Sequence, residues 1–218
     1  MKPSGFPRSA LALEFLALAV ILISPVAQAN FRKGQLGITG SILAGFPTSD
    51  FSDLSNTGLG VGLELEYLPT DEISLGFKYD YLPFQGPDLV DSTTLQEEWL
   101  TMTYGFIGKH FFSPQYELVP YLKAGALVSM YEVEIKRGDQ DDTGALKIDT
   151  SFSKSGRLTA MGGFGLRWDL TPSWGFSGEL LFTKIFDVIH DVRGTRREID
   201  MQFISFNLTG TLFLGRKR

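Results

Sequence analysis

A chain of 218 residues that is 43% hydrophobic and 21% charged has enough apolar surface for one domain with its own core. A net charge of −5, with basic and acidic residues mixed along the chain, excludes the basic surface that a nucleic-acid partner needs. The absence of cysteine excludes a disulfide framework and a thiolate metal site.

The first element is a leader. Lys2 and Arg8 precede the apolar run LALEFLALAVILI, and small residues follow at Ala27 and Ala29. This basic, apolar, small-residue order is that of a secretory signal peptide, with cleavage expected after Ala29. The unbroken apolar run from Phe15 to Ile23 is far short of the ~20 residues that a membrane helix requires. The expected organisation is therefore a signal peptide over 1–29 and one domain over 30–218.

Beyond residue 30, eight segments alternate apolar and polar residues with period 2, the mark of strands with two unlike faces. They fall at 34–46, 58–68, 72–82, 98–111, 118–131, 157–170, 173–186 and 200–214. Three connections are short and carry proline, at 69–72, 113–117 and 171–173. The other four are longer and polar, near 47–57, 83–97, 132–156 and 187–199. Short and long connections in alternation predict an eight-stranded antiparallel up-and-down barrel, which leaves no open edge.

Alternation alone does not separate a soluble barrel with an apolar interior from a membrane barrel with lipid outside. The composition of the two faces does. One face carries Leu59, Val61, Leu63, Leu65 and Tyr67, then Ile73, Leu75, Phe77, Tyr79 and Tyr81, and continues in kind through Leu208, Leu212 and Leu214. The other is mostly glycine, serine and threonine with a few charges, where a water-facing surface would carry many long lysines and glutamates. Small residues suit eight strands converging on a narrow interior. Aromatic residues gather near strand ends. Tyr67, Phe111, Phe112, Tyr116, Trp168 and Trp174 mark one rim, and Tyr79, Tyr81, Trp99, Phe182 and Phe186 the other. Two such bands are what membrane interfaces select. The sequence therefore predicts an all-β transmembrane barrel with the charges inside.

The quoted strands carry a family resemblance. PYLKAGALVSMYEV at 120–133, GGFGLRWDLTPSWGFSGELLFTK at 162–184 and GVGLELEYLPTDEISLGFKYDY at 60–81 resemble strands of the outer-membrane protein beta-barrel superfamily, including its A-type, X-type and opacity-type barrels. The resemblance spans essentially all of 30–218. It implies outer-membrane location, both termini in the periplasm, and longer loops outside the cell. It also implies three partners: outer-membrane lipids, the barrel assembly machinery and periplasmic chaperones. Such chains often end on an aromatic residue that contributes to an assembly signal. Here Gly210 and Phe213 give a partial match, and the chain runs on to Arg218.

Candidate sites are few. Glu64, Glu66, Lys78, Asp80, Lys109, Lys123, Arg167, Asp169 and Glu179 form an expected lumen charge network. Turn placement sets Glu64 opposite or diagonal to Lys78 and brings Arg167 near Glu179. Lys109 and Lys123 approach each other across the turn at 113–117, which requires a carboxylate from a facing strand. Such a network is either a rigid plug or a gate whose ion pairs exchange partners. In the third long loop, Arg137, Gly138, Asp139 and Asp141 are candidates for binding an extracellular ligand, Arg137-Gly138-Asp139 being an integrin-type tripeptide. A calcium-loop spacing that begins at Asp139 fails at its twelfth position, Thr150, where a bidentate glutamate is needed.

His110 and His190 are the only histidines, and neither sits in a catalytic motif; His190-Asp191 lies in the last long loop, where Ser92 of another long loop could approach it. No cofactor is expected and no enzymatic activity. The expected function is structural or as a surface antigen, with loops available for adhesion or ligand binding. A narrow pore is the alternative, and a lipid-modifying enzyme stands third.

Overall fold

The computed structural model describes residues 33–86, 95–140, 146–171, 173–192 and 195–214. The expected leader lies outside them. Eight strands run in chain order: β1 (Leu36–Thr48), β2 (Gly58–Tyr67), β3 (Ile73–Phe84), β4 (Leu95–Phe111), β5 (Leu118–Gln140), β6 (Leu146–Thr171), β7 (Trp174–Val192) and β8 (Thr195–Leu214). Each pairs antiparallel with the next, and β1 closes on β8 from Leu36↔Leu214 to Thr48↔Gln202. The wall is a closed up-and-down barrel.

Period 2 sets which side chains meet lipid. Phe106 is 75% exposed and Leu59 69%, an outward display that would make a water-soluble protein aggregate and that a hydrocarbon belt requires. Tyr67, Phe112, Tyr116 and Trp174 are exposed at the short-turn rim, and Tyr79, Tyr81 and Phe182 toward the opposite one. Two aromatic residues assigned to those rims depart from them. Phe111 and Trp99 sit at odd positions of β4, which point inward, and both are buried.

The long connections differ more. The stretches 132–156 and 187–199, expected as polar loops, are largely strand. β5 has 23 residues and β6 26, where about 9–11 suffice to cross the bilayer, so these hairpins project beyond it. Above the bilayer the outer face no longer has to be apolar, while inward residues such as Val133, Val188 and Ile199 are, so the outward-apolar pattern of the lower strands does not continue. The connection at 47–57 also departs from expectation. Ser49–Asp53 forms a short 3-10 turn that drops fully buried Phe51 into the barrel mouth, edge-on to Phe84 and Trp99 with ring centroids 5.0 and 5.3 Å away.

The wall splits near that mouth. Among the described residues, β6 and β7 pair no higher than Thr159↔Ile185. Just above, each strand kinks: Gly156 has φ +76° and Asp187 φ +56°, at a bulge between Ile185 and Val188. Tyr131 of β5 spans the inner side of the opening. Its hydroxyl donates to the Ile189 carbonyl at 3.2 Å and accepts from the Ile189 amide at 3.1 Å, replacing the lost strand partner. Tyr131→Phe should strand both groups and cost about 1–3 kcal/mol. The check is amide exchange at Ile189, expected to accelerate by about tenfold or more; an unchanged rate would refute the bridging role.

Candidate functional site in the lumen

Inward positions of neighbouring strands stack into layers. At the short-turn end, Leu68, Phe111, Val119, Tyr121 and Phe213 form an apolar floor. The charged layer lies above it. Ile107, Leu127, Met161 and Leu181 come next, and a cluster around Phe51, Trp99, Tyr131, Ile199 and Met201 fills the mouth. The polar interior that the sequence suggests is thus confined to the lower and middle lumen. The inward apolar residues of the upper strands cannot be told from outward ones by residue type alone.

The charged layer begins with a conflict. Register places Lys109 of β4 directly opposite Lys123 of β5, an arrangement that repels unless an anion intervenes. Glu64 reaches across the lumen from β2 and supplies it. One of its carboxylate oxygens pairs with Lys109, and the other accepts from Lys123 Nζ at 2.7 Å. Lys109 also donates to Glu66 Oε2 at 3.2 Å, and Lys123 to both oxygens of Glu179, at 2.9 and 3.1 Å. Neutral groups complete the shell. Ser74 donates to Glu66 at 2.7 Å, while Tyr121 and Asn207 donate to Glu179 at 2.7 and 3.2 Å.

Arg167 extends the network toward the floor. Its Nε donates to Asp169 at 2.7 Å, Nη1 lies 3.9 Å from Glu66, and the guanidinium stacks 4.0 Å from the centroid of Phe213. Lys78 pairs with Asp80 at 3.0 Å. Glu64, Glu66, Lys78, Lys109, Lys123, Arg167, Asp169 and Glu179 are all buried. The residues that turn placement sets side by side are neighbours in register but do not bond to each other. Glu64 does face Lys78 in register, but its carboxylate goes to the two lysines across the lumen while Lys78 takes Asp80. Glu179 takes Lys123, and Arg167 turns to Asp169 and Glu66. Strand adjacency finds neighbours along the wall, whereas a barrel this narrow lets long side chains choose partners across it.

Small residues make room for this layer. A Cβ on Gly37 would sit 2.7 Å from Glu66 Cγ, and one on Gly165 2.4 Å from the Tyr121 ring. Hydroxyls line the wall above and beside it, Thr103–Ser129 at 2.7 Å, Ser129–Thr159 at 2.6 Å and Thr39–Thr211 at 2.8 Å. Beside Asp80, a cavity of about 10 Å³ has room for at most one water.

The other candidate residues lie apart. Arg137, Gly138 and Asp139 stand in strand β5 rather than at a loop tip, and Asp141 falls outside the described residues. Thr150 pairs with Ile135 in the hairpin stem. His110 faces outward near the short-turn rim, its ring 4.8 Å from that of Phe112. His190 is in β7, and Ser92 lies outside the described residues. Phe51 and Tyr121 are absent from the candidates read from the sequence. The signal for Tyr121 was its inward parity beside Lys123; Phe51 had none beyond being an aromatic residue in a polar connection.

A closed antiparallel wall with an apolar outer belt and paired charges within defines a transmembrane β-barrel of the outer membrane. The chain belongs to the family described as the outer membrane protein beta-barrel domain, whose family model matches residues 15–210. Among solved structures it is similar to the outer membrane protein OprG from Pseudomonas aeruginosa, at 11% identity and TM-score 0.57, covering 87% of this chain and 100% of that one. It is also similar to Ail, the attachment invasion locus protein of Yersinia pestis, in a complex with the heparin analogue sucrose octasulfate. That match has 12% identity and TM-score 0.52, and covers 84% of this chain and 99% of that one. At these identities the likeness is one of fold. No curated protein matches the chain.

Removing one partner from such a cluster leaves a buried charge uncompensated. Lys123→Met should destabilise the barrel by about 3–5 kcal/mol, read as a lower urea midpoint for unfolding from lipid vesicles. The double variant K123M/E179Q should recover part of that loss, because the Glu179 charge goes with its partner. Equal midpoints for the two variants would show that Lys123 and Glu179 are not coupled.

Proposed function

We propose that this outer-membrane protein is a closed, non-conducting scaffold that carries its projecting hairpins outside the cell as surface and adhesion structures. The observation that carries the proposal is the filling of the lumen at successive levels by the floor, the paired charges, the middle apolar layer and the Phe51 cluster. The length of β5 and β6 supports display, since it lifts backbone well beyond the bilayer. A role without catalysis fits the placement of His110, which lies on the outer wall against Phe112. Insertion by the assembly machinery with periplasmic chaperones belongs to the same reading. Phe213, the aromatic part of the C-terminal match, faces the lumen and stacks on Arg167, so it is not presented to lipid.

A narrow pore is the second reading, and one observation favours it. Lys78 faces Glu64 in register while bonded elsewhere, so a third cation stands ready if the Glu64 pairs exchange. The test is conductance of residues 30–218 refolded and inserted into a planar bilayer, with insertion verified by heat-shifted gel mobility. The scaffold predicts a silent membrane for the natural chain. Discrete steps that change in Glu64→Gln would replace the scaffold with a gated pore.

A further inference from the structure

The lipid-facing wall is not uniformly convex. Register sets two neighbouring rows of outward residues across four strands. The row nearer the short turns is Trp168, Phe176, Gly210 and Gly40; the next is Leu166, Gly178, Leu208 and Ile42. Three glycines therefore adjoin one another, Gly40 and Gly210 side by side and Gly178 in the row above. A Cβ on Gly40 or Gly178 would meet nothing within 4 Å, and one on Gly210 would meet only Phe176 at 3.7 Å. The result is a furrow of about 620 Å³ with a glycine floor and walls of Ile42, Leu208, Leu166, Trp168 and Phe176. That volume lies within the roughly 300–1,000 Å³ of small-molecule pockets. No charged side chain lines it.

We infer that this furrow holds one acyl chain of a phospholipid from the periplasmic leaflet, retained longer than the lipids around it. Three features select that occupant. The furrow is continuous with the lipid-facing belt, so an acyl chain reaches it without crossing water. It adjoins the rim marked by Trp168 and the turn to Trp174, which short connections place on the periplasmic side. Its shape also argues against a second copy. A two-fold contact would set the same concave patch against itself and leave a void between the glycines. Retention needs an explanation beyond apolarity, because lipid tails are as apolar as leucine and no hydrophobic drive operates between them. The added attraction is contact density: a chain lying in a furrow touches more wall than one lying on the convex barrel.

The experiment is native mass spectrometry of the full-length protein purified from outer membranes in mild detergent. A one-to-one phospholipid adduct is expected on the natural protein. Gly178→Leu and Gly40→Leu fill the furrow from open positions, and each should reduce the adduct by about tenfold or more. Gly108→Leu, an outward glycine on β4 far from the furrow, should leave it unchanged. Heat-shifted gel mobility verifies folding of each variant, and Trp168→Ala, which removes a wall, substitutes for either filling variant if that one fails to fold. The inference is overturned by a natural protein without adduct, by an adduct indifferent to both filling variants, by lipopolysaccharide in place of phospholipid, or by a dimer that G178L dissociates.

Discussion

The repulsion between Lys109 and Lys123 is the constraint from which the interior is organised. A two-strand register fixes them face to face, and burial denies both of them water. Glu64 therefore has to arrive from the far wall, and its arrival commits the lower lumen. Glu179 balances the second lysine, Glu66 the first, and Arg167 turns downward to Asp169. Glycines at 37 and 165 follow from the same need, because the side chains that meet at the axis must lie where any Cβ would stand. Exchanging such charges for apolar residues of equal volume is often neutral or stabilising in other proteins. What the ions supply here is a geometry, with strands as distant as β2, β5 and β7 tied through one lysine.

The outer wall obeys a different solvent. Leucine and phenylalanine stand outward because hydrocarbon has no use for a polar group, and the backbone is satisfied strand to strand around the whole closed ring. Between these two regimes each strand reads as a strict alternation over the membrane span. Beyond it, apolar packing inside the mouth takes over from charge pairing, with Phe51 carried inward by the chain between β1 and β2.

Much of this was legible in the residues. The number of strands, the short turns at 69–72, 113–117 and 171–173, and the inward parity of Glu64, Lys109 and Arg167 follow from period 2 and from proline. What period 2 cannot reach is the axis of the barrel. Glu64 and Lys78 are neighbours on the wall, yet Glu64 bonds to lysines that stand across the lumen, and nothing in a linear pattern encodes that distance. Trp99 and Phe111 were misplaced for a related reason. An aromatic residue near a strand end suits an interfacial belt and an apolar mouth or floor equally well, and only the parity of β4 separates the two. The upper halves of β5, β6, β7 and β8 escape the pattern because the outward-apolar rule ends with the membrane, and apolar residues such as Val133, Val188 and Ile199 point inward instead.

The parting of β6 from β7 bears on how the exterior can vary. Above Thr159 and Ile185, among the described residues, no backbone pair joins the β5–β6 hairpin to the β7–β8 hairpin; side chains such as Tyr131 connect them. A residue inserted above that level in one hairpin leaves the register of the other unchanged. The two projections are thus separate modules on a common base, each free to change length or sequence while the pairing that closes the ring below stays as it is.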